Sequence, residues 1–356
     1  MMISSSRIPT YAAILFLWWP VLLWAQDTVD EGDIVDTIDT QLDLFEVEEP
    51  MIITLTFDIK KYQKTKFKGE YMPAALSYHI NDSLRIEKTI RLKARGAFRR
   101  EYCSFAPFWL NIRKSDIKNQ HLQDIKRMKV VTQCQNSSTY GEYVLKEYLV
   151  YRIYNILSSY SFRTRLVRMK YIDTGRKNKV TESWAFIIEP EELLAERVNA
   201  TAISRDALSM KIMEPKAMDL VSLFQYMVGN ADYAINARHN VKILGLPGFG
   251  TNGYTPVPYD FDYSGFVNTV YAIPGENLGI KSVTDRYFLG PCREDLEYQQ
   301  TIDHIENHKE EILNLITSFP YLEDRRKKDM IRFIEGYFEL SMSTGFIRGQ
   351  LRSTCR

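Results

Sequence analysis

The chain has 356 residues, 45% of them hydrophobic, which is ample for a sizeable core. Its 46 basic residues against 45 acidic ones leave a net charge of +1, so nothing global points to nucleic acid as a partner. Four cysteines lie far apart with no histidine at metal spacing, which argues against zinc.

At the amino terminus, Arg7 precedes an apolar run from Tyr11 to Trp24, interrupted by Pro20 and followed by Ala25 and Gln26. The run is too short to span a membrane and predicts a secretory signal peptide over residues 1–25. No later stretch is long and apolar enough to cross a bilayer, so no stable membrane span is expected after cleavage. The mature chain is expected to be exported: periplasmic, cell-surface or secreted. Residues 26–50 are acidic and contain no Lys or Arg, a composition that predicts a flexible leader. Lys and Arg are dense between Lys60 and Lys129, an excess that suits an anionic ligand. An even cysteine count in an exported chain favours two disulfides. Of the three pairings, Cys103–Cys134 with Cys292–Cys355 is favoured, because each pair stays within one half of the body.

From Ile52 to Cys134, alternating and β-branched apolar residues between turn-prone GEY and NDS predict a mainly antiparallel sheet. Its interior should collect Ile90, Leu92, Phe108, Leu110 and Val130. The stretch TYGEYVLKEYLVYRIYNILSSY then predicts a helix carrying Glu142 and Glu147. In kinase chemistry a helical Glu beside the sheet pairs with the phosphate-contacting lysine; either acid is equally suited to an ordinary helix ion pair. Residues 162–190 predict a strand, a turn at Thr174 to Asn178 and a second strand. Further helices are expected in residues 189–200 and 217–232, then from about Arg293 to Thr317 and Leu322 to Ser343.

The chemistry concentrates between Gly229 and Gly265. Asp232 precedes Asn240 by eight positions, and the pair Asp260 and Asp262 follows, set between Tyr259, Phe261 and Tyr263. VKIL and TPVPYDFD read as two strands of a hairpin that would bring these groups together. Phosphoryl transfer needs such a set: one carboxylate to take or orient the acceptor proton, and an amide oxygen with another carboxylate to hold magnesium. His239 suits either a general base or a packed, hydrogen-bonded role. No GxSxG hydrolase signature is present.

Four segments give the chain a family resemblance. LKARGAFRR, YVLKEYLVYRIYNIL, ESWAFIIEPEELL and above all TPVPYDFDYSG resemble the conserved blocks of the spore-coat CotH-type atypical secreted kinases. The resemblance spans most of residues 85–270. It implies an α+β, two-lobed, protein-kinase-like fold over residues 51–356, with an antiparallel-sheet N-lobe at about 51–170 and a mainly helical C-lobe at about 190–356. It implies Asp232 as the catalytic acid/base or orienting residue, and Asn240, Asp260 and Asp262 as metal ligands. It implies Mg²⁺ or Mn²⁺ and ATP or another nucleotide as cofactors, and a protein or glycan hydroxyl as acceptor. Nucleotide-binding candidates are Lys93, Arg95, Lys129, Glu147 and Glu189. The chain departs from the pattern at Ala97, where the family has Asn, and at Ala237, where related kinases have Asp. Those departures keep open a second function, an exported binding or scaffold protein without turnover.

Overall fold

The computed structural model describes residues 44–79, 85–112, 127–205, 207–248 and 253–356. The expected signal peptide and most of the expected leader lie outside the described residues. Leu44 and Phe45, at the leader's end, are buried, and Glu48 pairs with Arg152.

Seven strands form the first half: β1 (Met51–Phe57), β2 (Met72–His79), β3 (Arg85–Ala94), β4 (Phe108–Ile112), β5 (Arg127–Thr132), β6 (Thr164–Asp173) and β7 (Lys179–Ile188). They close into a barrel in the order β1-β2-β3-β4-β5-β7-β6. The closed barrel corrects the expected two-lobed, kinase-like arrangement with its antiparallel-sheet N-lobe. β6 pairs antiparallel with β7 on one side and parallel with β1 on the other, from Met51 opposite Val167 to Phe57 opposite Asp173. That second pairing removes both sheet edges. The interior holds Ile90, Leu92, Phe108, Leu110 and Val130 as expected, along with Leu55, Leu76 and Met169. Two short helices flank the strands, α1 (Ile59–Thr65) and α2 (Ala97–Tyr102).

Helix α3 (Ser138–Leu157) is the axle between the halves. It packs on β6 and β7 on one side and on a C-terminal helix on the other. Its buried residues therefore occupy nearly every face, Glu147 among them. The second half is not simply helical, which is the other part of the fold correction. After α4 (Glu191–Arg197) and β8 (Thr201–Ile203), helix α5 (Pro215–Met227) leads to the antiparallel hairpin β9 (Val241–Gly245) and β10 (Tyr254–Pro258). Strands β10-β9-β8 make a second sheet. Helices α6 (Asp295–Glu306), α7 (Lys309–Ser318) and α8 (Asp324–Ser341) complete the body. The disulfides are Cys103–Cys134 and Cys292–Cys355, the favoured pairing. No helix among the described residues is long and apolar enough to cross a membrane.

Candidate active site

The β9–β10 hairpin sets the geometry. Val241 lies opposite Pro258, so Asn240 and Tyr259 meet just beyond the paired ends, with Tyr259 N donating to Asn240 O at 3.0 Å. Asn240 (φ +51°) and Asp260 (φ +64°) both adopt the left-handed region, which turns the chain sharply at each strand end. Asn240 Nδ2 donates to the Asp232 carbonyl at 2.7 Å and to Asp232 Oδ2 at 2.9 Å. With its nitrogen engaged, the Asn240 side chain has its oxygen left for a ligand. Asp232 Oδ1 lies 2.9 Å from His239 Nε2. That hydrogen bond raises the His239 pKa against partial desolvation, with the Asp232 and Asp260 charges adding to it. His239 is half exposed and holds Asp232; it is not a packed core residue.

The alternation in Asp260-Phe261-Asp262 has a mechanical purpose. Phe261 is fully buried, edge-on to Tyr151 at 4.8 Å and to Phe224 at 5.7 Å. The acids on either side are thereby fixed, and Asp260 N donates to Tyr151 Oη at 2.9 Å. Gly265 straps this loop to the Asp232 segment through its N–H to the Gly229 carbonyl at 2.9 Å. A Cβ there would stand 2.5 Å from the Val283 carbonyl, so only glycine fits.

Carboxylate oxygens of Glu147, Asp260 and Asp262 lie within 4.8 Å of one another. Arg99 joins them: its Nε meets Asp262 Oδ2 at 2.9 Å and its Nη2 meets Glu147 Oε2 at 3.1 Å. Tyr271 Oη donates to the same Asp262 oxygen at 3.1 Å. Burial raises the pKa of Glu147 and of Asp262, with the Arg99 guanidinium opposing in each case. Three carboxylates face a single guanidinium, so their full ionisation would leave an excess of negative charge. Glu147 Oε1 is buried without a hydrogen-bond partner. This donor set fits a hard divalent cation, which takes carboxylate oxygens and would offset the excess.

Beside Asp260 opens a cleft of about 370 Å³, within the range of small-ligand sites. Arg95, Arg127, Lys129 and Lys242 line it together with Trp109 and Tyr259, and so do Asp260, Glu189, Glu191 and Glu192, with Glu191 pairing to Lys242 at 2.7 Å. Lys129 Nζ sits 4.2 Å from the Tyr259 ring centre, and Arg127 lies over Trp109 at 4.4 Å. Burial pushes the Lys129 ammonium down to about 7, with Arg95 and Lys242 adding to the effect and Asp260 and Glu191 opposing it. Arg95 Nη1 is buried and unpartnered. The orphan Arg95 donor, Lys129 and the ring faces fit a phosphate-bearing ligand with an aromatic base.

The structure therefore brings Asp232 to Asn240, Glu147 to Asp260 and Asp262, and Arg95 and Lys129 to the adjoining cleft. Glu189 borders that cleft too, but its carboxylate is engaged by Arg163 at 2.8 Å and Arg197 at 2.9 Å. Lys93 lies elsewhere, 5.5 Å from the Tyr71 ring centre. Glu142 is an ordinary partner of Arg326 at 2.8 Å. Sequence reasoning missed Arg99 as a functional group, although it lies inside LKARGAFRR.

No protein-family model matches the chain, and no curated protein matches it in sequence. Among solved structures it is similar to the Helicobacter pylori proinflammatory kinase CtkA, at TM-score 0.38 and 12% identity, over 69% of this chain and 90% of that one. A likeness at that level carries no argument, so the functional reading rests on the site itself.

Proposed function

We propose that the chain is an exported, divalent-metal-dependent phosphotransferase that moves the γ-phosphoryl of a nucleotide onto a protein or glycan hydroxyl. The supporting observation is the conjunction of two groups at the ends of one hairpin. Asp232 and Asn240 stand at the β9 end, and the Glu147–Asp260–Asp262 cluster, beside a cleft that offers the unpartnered Arg95 Nη1, Lys129 and two aromatic faces, stands at the β10 end. Two disulfides, and no membrane-crossing helix among the described residues, are compatible with export.

In this reading Lys129 and Arg95 bind the phosphates, Arg99 orients Glu147 and Asp262, and Asp232 accepts the proton of the attacking hydroxyl. The acceptor oxygen bonds to the γ-phosphorus as the bond to the β–γ bridging oxygen breaks, releasing a nucleoside diphosphate. Asn240, Asp260, Asp262 and Glu147 would hold Mg²⁺ or Mn²⁺, which when bound neutralises charge on the phosphates. A second reading, nucleotide binding without turnover, is favoured by one observation. Arg99 already bonds the Asp262 and Glu147 oxygens that a metal would use.

The mature chain, starting at about Asp27, should melt higher with nucleotide plus Mg²⁺ or Mn²⁺, by roughly 2–3 kcal/mol at a hundredfold excess over Kd. Asp232→Asn should retain that shift and lose phosphotransfer by roughly 10²–10⁴-fold. If no nucleotide raises the melting temperature with either metal, both readings fail; a shift without transfer selects the second.

Lys129 adds a pH signature. Phosphate binds the charged amine, which the free protein holds only below about pH 7. Nucleotide affinity should therefore fall by up to about tenfold per pH unit above that point, and Lys129→Met should flatten the profile. In the free protein the sign is opposite. Between about 7 and the ordinary 10.5, unfolding takes up a proton at Lys129, so this group's contribution to stability rises with pH. Titration calorimetry at several pH values tests the first statement, and a pH-independent affinity would remove Lys129 from the phosphate site.

A further inference from the structure

A second pocket, of about 210 Å³, opens at one end of the barrel, between α1, the turns at Ser104–Phe105 and Gln133–Asn136, and the ends of β6 and β7. None of its lining residues belongs to the phosphotransfer site. We propose that it binds a single uncharged sugar ring. Barrel mouths are a recurrent place for small-molecule sites, and this volume falls below the ~300 Å³ at which drug-sized ligands begin, leaving room for one ring.

The lining chemistry narrows the ligand. Phe105 and Tyr171 pack edge to face at 4.9 Å and form an apolar floor, continued below by Phe57 and Tyr62. Tyr171 is almost fully buried, and its hydroxyl, directed toward Ser183, makes no hydrogen bond of normal geometry. Such an orphan is costly unless a ligand completes it.

Two of the amide nitrogens around the pocket, those of Gln133 and Gln135, are already committed. Gln133 Nε2 donates to the Gln135 and Ser137 carbonyls at 2.9 and 2.7 Å, and Gln135 Nε2 donates to the Tyr102 carbonyl at 3.0 Å. Their side-chain oxygens are left to accept, so the fitting ligand is one that donates, as sugar hydroxyls do.

Formal charges at the pocket cancel, with Asp173 and Glu182 against Arg176 and Lys179. The acids are also occupied. Asp173 accepts from the Ile59 and Gly175 N–H groups, both at 3.0 Å, and Glu182 pairs with Arg168 at 3.5 Å. The balance disfavours a phosphate or an ammonium ligand, and an aromatic floor beneath neutral acceptors suits a pyranose. The Cys103–Cys134 bridge and the Phe105 N–H to the Cys134 carbonyl, at 3.1 Å, join the two turns, so the walls are preformed.

The test is saturation-transfer NMR of the mature chain with free D-glucose and with N-acetyl-D-glucosamine at millimolar concentration. Saturation should reach the ring protons of at least one sugar. Tyr171→Phe, which keeps the floor and removes the orphan hydroxyl, should weaken binding about tenfold, the scale of one hydrogen bond left unmade. Ser183→Leu, which fills the pocket, should abolish binding, and Asp232→Asn should leave it unchanged. If Ser183→Leu melts below the wild type, the Tyr171→Phe result decides. No transfer to either sugar overturns the proposal, as does full binding in both pocket variants. Loss of binding in Asp232→Asn also overturns it, by moving the sugar to the phosphotransfer site.

Discussion

Asp262→Asn should eliminate metal-dependent stabilisation by nucleotide and lower phosphotransfer by roughly 10²–10³-fold. The substitution keeps the size of the side chain, so Phe261 stays anchored against Tyr151 and the loop keeps its path. What changes is charge and hydrogen-bond polarity. With Glu147, Asp260 and Asp262 ionised against Arg99, the cluster carries a formal −3 + 1 = −2; with asparagine it carries −1. A divalent cation then loses a ligand oxygen and part of its electrostatic reason to bind. The comparison variant is Asp219→Asn, which alters a buried carboxylate paired with Arg293 outside the site and should leave the nucleotide response intact. Thermal melts with and without Mg²⁺ provide the readout. An unchanged metal-dependent shift in Asp262→Asn would remove the cluster from the mechanism.

Reducing both disulfides is the other large perturbation. The bridges close stretches of 31 and 63 residues; at these lengths the chain-entropy model assigns about 4 kcal/mol to each. A loss on that scale is a large share of the ~5–15 kcal/mol that holds a typical domain folded. The two bonds should also differ in consequence. Cys355 sits in the last turn of the chain, where Arg356 N donates to the Gly290 carbonyl at 3.0 Å. A Cys292→Ser/Cys355→Ser pair should therefore loosen the tail and lower the melting temperature while leaving nucleotide affinity alone. Cys103 directly follows α2, which carries Arg99. A Cys103→Ser/Cys134→Ser pair should lower the melting temperature and weaken the nucleotide response together. Equal melting temperatures with and without a reductant that frees all four thiols would contradict this.

Local signals in the sequence carried far. The helix over Ser138–Leu157 and the β9–β10 hairpin follow from periodicity and turn residues, which act over short distances, and the favoured cysteine pairing from keeping each bond within one half of the body. Barrel closure did not show, because alternation along a strand reports that one face is buried and not which strand lies beside it. Met51 finds Val167 across most of the first half of the chain, and no residue in either strand advertises the other. The site divides in the same way. Asp232, Asn240, Asp260 and Asp262 stand close in sequence and their convergence was legible. Arg99 was not, because its role depends on α2 lying against Glu147 of α3 and against Asp262. Lys93 and Lys129 looked equivalent in sequence. Register separates them: Lys129 faces the cleft beside Tyr259, whereas Lys93 meets Tyr71.

The parallel seam between β1 and β6 also dictates an order of events. A chain made or threaded from its amino terminus presents Met51–Phe57 early, yet that strand has no second neighbour until Thr164–Asp173 has followed. In the interval β1 can add only to β2, and the barrel stays an open ribbon with unpaired edges. Long-range closure of this kind is slow, since the loop entropy must be overcome before the contacts form. The barrel thus remains unfinished until about a third of the chain has followed β1, a delay during which its unpaired edges stay open.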